Sequence, residues 1–225
     1  MHIEPGVVHG AKMVLAYGTA AAASGYTLKM VADDLKRRAL PSFALRTVAA
    51  TLGVFLFFEV LPHFPVGISE VHFILGSTLL LVLGAAPAAL GLMAGLLIQG
   101  TFFAPTDLPM YFVNVTTLLV PLFAIHALAQ RMLPKDLAYV DLSYSHVLKL
   151  SAAFQGGVIA WVAFWVFYGQ GVGADTFASV TTFGLAYMTV VLIEPLVDLA
   201  VLAGAKSLKG LNGSPLVSER LYSAA

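Results

Sequence analysis

Tyr111-Phe112-Val113-Asn114-Val115-Thr116-Thr117-Leu118-Leu119-Val120-Pro121-Leu122-Phe123-Ala124-Ile125-His126-Ala127-Leu128-Ala129-Gln130-Arg131-Met132 carries no charged side chain before Arg131. As an α-helix rising 1.5 Å per residue, the uncharged part reaches about 30 Å, the thickness of a bilayer's hydrocarbon core. The stretch therefore predicts a membrane span over 111–132. Working outward, similar apolar stretches predict spans over 10–31, 42–61, 86–104, 147–169 and 177–203. A seventh, 71–84, is short for a full crossing. It is expected to be tilted, irregular or re-entrant, which is tolerated where backbone lines a protein-enclosed cavity. The segments 62–67 and 104–109, each with two prolines, read as turns.

The whole chain has the same character. Of its 225 residues 59% are hydrophobic and only 11% charged, against roughly 25% charged in soluble domains; mean hydropathy is +0.89. Segments of about ten residues with alternating polarity, the mark of a membrane β-barrel, are absent. The expected fold class is thus all-α: a polytopic helical bundle of about seven transmembrane helices. One membrane domain is expected over 1–205, followed by a polar cytoplasmic tail over 206–225. A net charge of zero offers nothing to nucleic acid; membrane lipid is the expected surroundings. The absence of cysteine excludes thiolate metal sites, disulfides and cysteine nucleophiles. The N-terminus has no basic region of the signal-peptide kind, so the mature chain is expected to start at Met1.

Basic residues orient the bundle, because Lys and Arg collect in cytoplasmic loops. With the N-terminus outside, Lys29, Lys36, Arg37, Arg38, Arg46, Arg131, Lys135, Lys149, Lys206, Lys209 and Arg220 all fall on the inner side, and only Lys12 lies outside. The expected topology is N-out, with the C-terminus cytoplasmic.

That topology gathers His2, His9, His63 and His72 at the outer face, and places His126 and His146 toward the inner leaflet. Imidazole is a common ligand of transition metals. A histidine at position two has a further option. The Met1 α-amine, the His2 amide nitrogen and the His2 imidazole can close fused small rings around one ion, leaving a fourth corner for a second histidine. A planar set of four nitrogens suits Ni²⁺ or Cu²⁺ and can be imposed on Co²⁺. Chemistry alone leaves this reading open beside the plainer one, in which His2 has no ligand role.

Met1-His2-Ile3, followed by Gly6, resembles the start of the CbiM/NikM family, the substrate-binding components of energy-coupling-factor cobalt and nickel importers. Ser69-Glu70-Val71-His72-Phe73-Ile74-Leu75-Gly76 resembles that family's serine- and histidine-containing segment. Leu97-Ile98-Gln99-Gly100 and Asn114 match its Gln and Asn landmarks. The loop 104–109 departs from the family's glycine-rich one, and Glu4-Pro5 stands where other residues are usual. The resemblance implies a Co²⁺ or Ni²⁺ capture subunit in a bacterial inner membrane, with Met1, His2 and His72 as metal ligands. Glu4, Ser69 and Asn114 are expected around them. The ion is cargo, and no resident cofactor is expected. The implied partners are a membrane scaffold (T) component, cytosolic ATPase subunits and a small accessory membrane protein. No GxxxxGK[ST] phosphate loop and no HExxH motif occurs in the chain, so neither ATP hydrolysis nor metalloprotease chemistry is expected of it.

Other residues carry rival readings. His9 and His63 are alternative ligands or wetted interfacial histidines. Glu59, Glu194 and Asp198 are ionisable groups within spans, which are costly there. They are the residues a stand-alone proton- or cation-coupled permease, the alternative function, would use. For Glu194 and Asp198 a partner contact and snorkelling to water also stay open. Ala16, Ala20 and Ser24 fit helix docking on a scaffold or packing inside the bundle. Trp161, Phe164, Trp165, Phe167 and Tyr168 read as an interfacial aromatic belt.

Overall fold

The computed structural model describes residues 2–134 and 136–224, with nothing described of the Lys209 side chain. Met1, expected as a ligand, and Lys135, counted among the inner-side cations, lie outside the described residues. Seven α-helices occur among those described: α1 Met13–Arg37, α2 Leu40–Phe55, α3 Gly76–Leu83, α4 Ala85–Phe102, α5 Tyr111–Met132, α6 Tyr144–Gln170 and α7 Ala174–Ser207. A π-helical turn, Leu56–Val60, extends α2. Five of these elements are long and apolar enough to cross a membrane: Leu40–Val60, Ala85–Phe102, Pro105–Met132, Tyr144–Gln170 and Ala174–Ser207. Among the other two, α1 has 25 residues but carries Lys29, Asp33, Asp34, Lys36 and Arg37 toward its end. The third expected span is shorter than the sequence suggested. Its helix, α3, has 8 residues and reaches only about 12 Å.

What replaces the start of that span is a β-hairpin, β1 Phe64–Val66 and β2 Ser69–Val71, paired antiparallel with Phe64 opposite Val71 and Val66 opposite Ser69. Gly67, at φ 61°, supplies the left-handed turn residue that an L side chain resists. From β2 the chain descends through residues 72–75 into α3, then breaks at Gly84 (φ 94°) and re-enters as α4.

α2 and α4 pack without a gap because Gly91 lies on the Ala50 backbone, where an added Cβ would sit 2.4 Å from the Ala50 Cβ. Ala16 and Ala20 face inward and are buried, so these small residues serve the bundle itself. Trp165 is also fully buried, unlike a belt residue. Its indole N–H and that of Trp161 both donate to Thr116 Oγ1 at 3.2 Å.

The end of the bundle opposite the hairpin is held by charge. Arg46, 1% exposed, donates to both Asp34 carboxylate oxygens (2.5 and 3.1 Å) and to the Leu83 carbonyl at the end of α3 (2.8 Å). Residues after α7 fold back over this end. Ser218 N–H donates to Val82 O at 2.6 Å, Arg38 pairs with Glu219 at 3.1 Å, and Val217 and Leu221 pack on Ala138 and Val140.

Candidate metal centre

Residues 2–4 lie as an extended arm beside β2, with Ile3 paired antiparallel to Ser69. Backbone bonds flank that pair: Glu4 N–H to Ile68 O (3.1 Å) and Glu70 N–H to His2 O (3.0 Å). On its other side the arm is caught by α5, where Asn114 Oδ1 accepts the Ile3 N–H at 2.7 Å. Farther along, Gly169 at the end of α6 admits the arm. A Cβ there would sit 2.0 Å from the Val7 carbonyl oxygen.

This register sets the side chains. With Ile3 opposite Ser69, His2 stands across from Glu70, and the two-residue period of β2 carries His72 to the face of Glu70. His2 and His72 are 2% and 1% exposed, and their ring centroids are 5.2 Å apart. Phe58, on the π-helical turn, closes the pocket against both rings, at 5.6 Å from His2 and 4.5 Å from His72. One donor atom from each of His2, Glu70 and His72 lies within 4.8 Å of the other two. This N, N, O set is of the kind that holds a divalent transition metal.

The protonation pattern follows from the contacts. His2 Nδ1 faces Glu70 Oε2 at 2.8 Å. Burial pushes the His2 imidazole down to about 4, against an opposing pull from Glu70, so at neutral pH the ring is uncharged and Nδ1–H donates. His2 Nε2 then holds the lone pair, and it has no hydrogen-bond partner among the described residues. The His2 hydrogen bond holds the Glu70 carboxyl below the usual carboxylate range, outweighing its own desolvation. His72 Nδ1 lies 3.2 Å from Phe73 O, which leaves its Nε2 as the donor atom. Glu4 at the mouth is pushed up, first by burial and then by the Glu70 charge. A cleft beside His2, lined by Gln99, Asp107, Tyr111 and Asn114, opens next to the cluster. The Gln99 Oε1 inside it is buried and has no hydrogen-bond partner among the described residues.

His2 and His72 are thus brought together, while Asn114 holds the arm and Ser69 lies opposite Ile3 in its partner strand. His9 and His63 stay apart as exposed rings turned to nearby carbonyls, at 3.0 Å from Gly6 O and 3.3 Å from Leu61 O. Glu70 was missed as a site residue from the sequence. The signal was its i, i+2 relation to His72, which becomes informative only once residues 69–71 are known to be a strand. Glu194 and Asp198 do not snorkel; both are buried and grip the start of α3.

The sequence matches the CbiM family, described as the cobalt uptake substrate-specific transmembrane region, over residues 2–209. The chain belongs to the CbiM family. As a CbiM protein it is a multi-pass membrane transport component, the substrate-specific part of a cobalt uptake system, and not an enzyme. A solved structure described as a truncated transition metal transporter has the same fold. It aligns with a TM-score of 0.67 at 18% identity, covering 91% of this CbiM chain and 99% of its own. No curated protein matches the chain.

Proposed function

We propose that this protein captures Co²⁺ or Ni²⁺ at the outer face for ATP-driven import, as the substrate-binding component of an energy-coupling-factor transporter. A membrane scaffold component, cytosolic ATPases and a small accessory membrane protein would complete the assembly, in a bacterial inner membrane. The ligands in this reading are the Met1 amine, the His2 amide nitrogen, the His2 imidazole and His72, with Glu4, Ser69 and Asn114 around them. The observation that carries it is the burial of His2 against His72, 5.2 Å apart, by an arm bonded on both edges. Ring closure makes a further demand. Only Nδ1 of His2 can form a six-membered ring with its own amide nitrogen, so loading exchanges the Glu70 contact at Nδ1 for the ion.

One observation favours a second arrangement. Because Nδ1 is engaged by Glu70 and Nε2 has no partner among the described residues, His2 Nε2, His72 Nε2 and a Glu70 oxygen can bind an ion without the backbone. Isothermal titration of Ni²⁺ and Co²⁺ separates the two. Native protein is compared with one carrying residues ahead of Met1, and with His72→Ala. The terminal chelate requires both changes to abolish tight binding. Unchanged binding by the extended protein refutes it, and unchanged binding by His72→Ala refutes both.

A further inference from the structure

Unused by the cluster are two buried acids on α7. Asp198 accepts hydrogen bonds from Ser77 Oγ (2.5 Å) and Thr78 Oγ1, and so fastens the first turn of α3. Glu194 acts one step closer to the metal ligands. Its Oε2 accepts the Ile74 N–H at 3.1 Å and its Oε1 accepts the Leu75 N–H at 2.5 Å. Two adjacent amides gripped by one carboxyl group fix the plane of the Phe73–Ile74 peptide. They also hold Leu75 at φ 54°, a left-handed conformation that costs a leucine about 1–2 kcal/mol.

The far end of that same peptide is the contact that matters. In a trans peptide the C=O points opposite to the N–H. With Ile74 N–H turned to Glu194, Phe73 C=O is turned away from it, toward His72 Nδ1 at 3.2 Å. A ligating histidine commonly donates its second ring N–H to a carbonyl or carboxylate, which fixes both tautomer and ring orientation. We propose that Glu194 is a positioning residue for His72: through the Phe73–Ile74 peptide it aims His72 Nε2 at the His2 and Glu70 donors. The role rests on the metal-capture reading above. It differs from general anchoring of α3, which Asp198 already supplies, and it ties the ligand just after the hairpin to the seventh helix.

The test is a Ni²⁺ titration of the full chain with its native N-terminus in detergent, read by affinity and by the visible absorption of the loaded site. Glu194→Gln offers one acceptor oxygen to two N–H donors. It should weaken Ni²⁺ binding about 10- to 100-fold, the usual range for outer-shell partners of a ligand, and alter the spectrum at saturation. Asp198→Asn should lower the melting temperature of the metal-free protein while leaving affinity and spectrum near wild type. A folded Glu194→Gln protein with wild-type affinity and spectrum overturns the proposal. Should that variant not fold, hydrogen exchange on the wild type decides. The Ile74 and Leu75 amides should exchange at least about tenfold more slowly with Ni²⁺ bound, and equal rates with and without metal overturn the proposal. His72→Ala in the same series separates the two ideas. If it binds like wild type, metal capture at this cluster fails; if it loses binding and Glu194→Gln does not, only the role of Glu194 fails.

Discussion

Loading a terminal chelate at pH 7 should release about two protons per ion. His2 contributes none, since burial holds its imidazole at about 4 and the ring is already neutral. Glu70 contributes none either, being held below the usual carboxylate range by its bond from His2. An α-amine with a pKa near 8 is about nine-tenths protonated at pH 7 and must lose that proton, and the metal displaces the amide proton as the second. The competing set of His2 Nε2, His72 and Glu70 releases close to zero. The sign follows: capture strengthens as pH rises, by about a hundredfold per unit below the amine pKa and about tenfold per unit above it. Below about pH 4, where His2 itself protonates, the slope steepens again. The assay is calorimetric titration in several buffers of different ionisation enthalpy, where the slope of observed heat against that enthalpy counts the protons. A slope near zero with tight binding would show that neither amine nor amide is a ligand. The N-terminally extended protein should lose the two-proton signal along with its affinity.

Asn114→Leu removes the acceptor of the buried Ile3 N–H; at about 1–3 kcal/mol for an unmade buried hydrogen bond, Ni²⁺ affinity should fall roughly tenfold to a hundredfold, and Asn114→Asp, which keeps an acceptor, should lose less. Gly169→Ala places a Cβ 2.0 Å from Val7 O, so the arm must shift; titration should show weaker metal binding while circular dichroism shows the helices intact. Arg46→Met leaves Asp34 and the Leu83 carbonyl without the guanidinium and should cost about 3–5 kcal/mol in detergent unfolding, much of it recovered in the double variant with Asp34→Leu.

The spans were legible because lipid requires long apolar runs whatever the tertiary detail. The span predicted over 111–132 is α5, Tyr111–Met132, and the last, predicted over 177–203, falls within α7. The third failed at its start, since Val71 is as apolar in a hairpin as in a helix and only pairing with Phe64 distinguishes the two. His2 and His72 could be named by residue type and resemblance. Glu70 could not, because its role depends on the register of an arm 68 residues away. Glu194 and Asp198 were suspect as charges in apolar surroundings. Their partners are the Ile74 and Leu75 amides just ahead of α3 and the Ser77 and Thr78 hydroxyls in its first turn, which no pattern within α7 encodes.

The extended arm also carries a consequence for biogenesis. Residues 2–8 leave the ribosome before everything they bind: Ile68 and Glu70, Asn114 and finally Gly169, against which Val7 is pressed. Until α6 has been made, the arm has no complete seat. A stretch whose His2, Ile3 and Val8 end up buried thus waits through the synthesis of most of the chain before its surroundings exist.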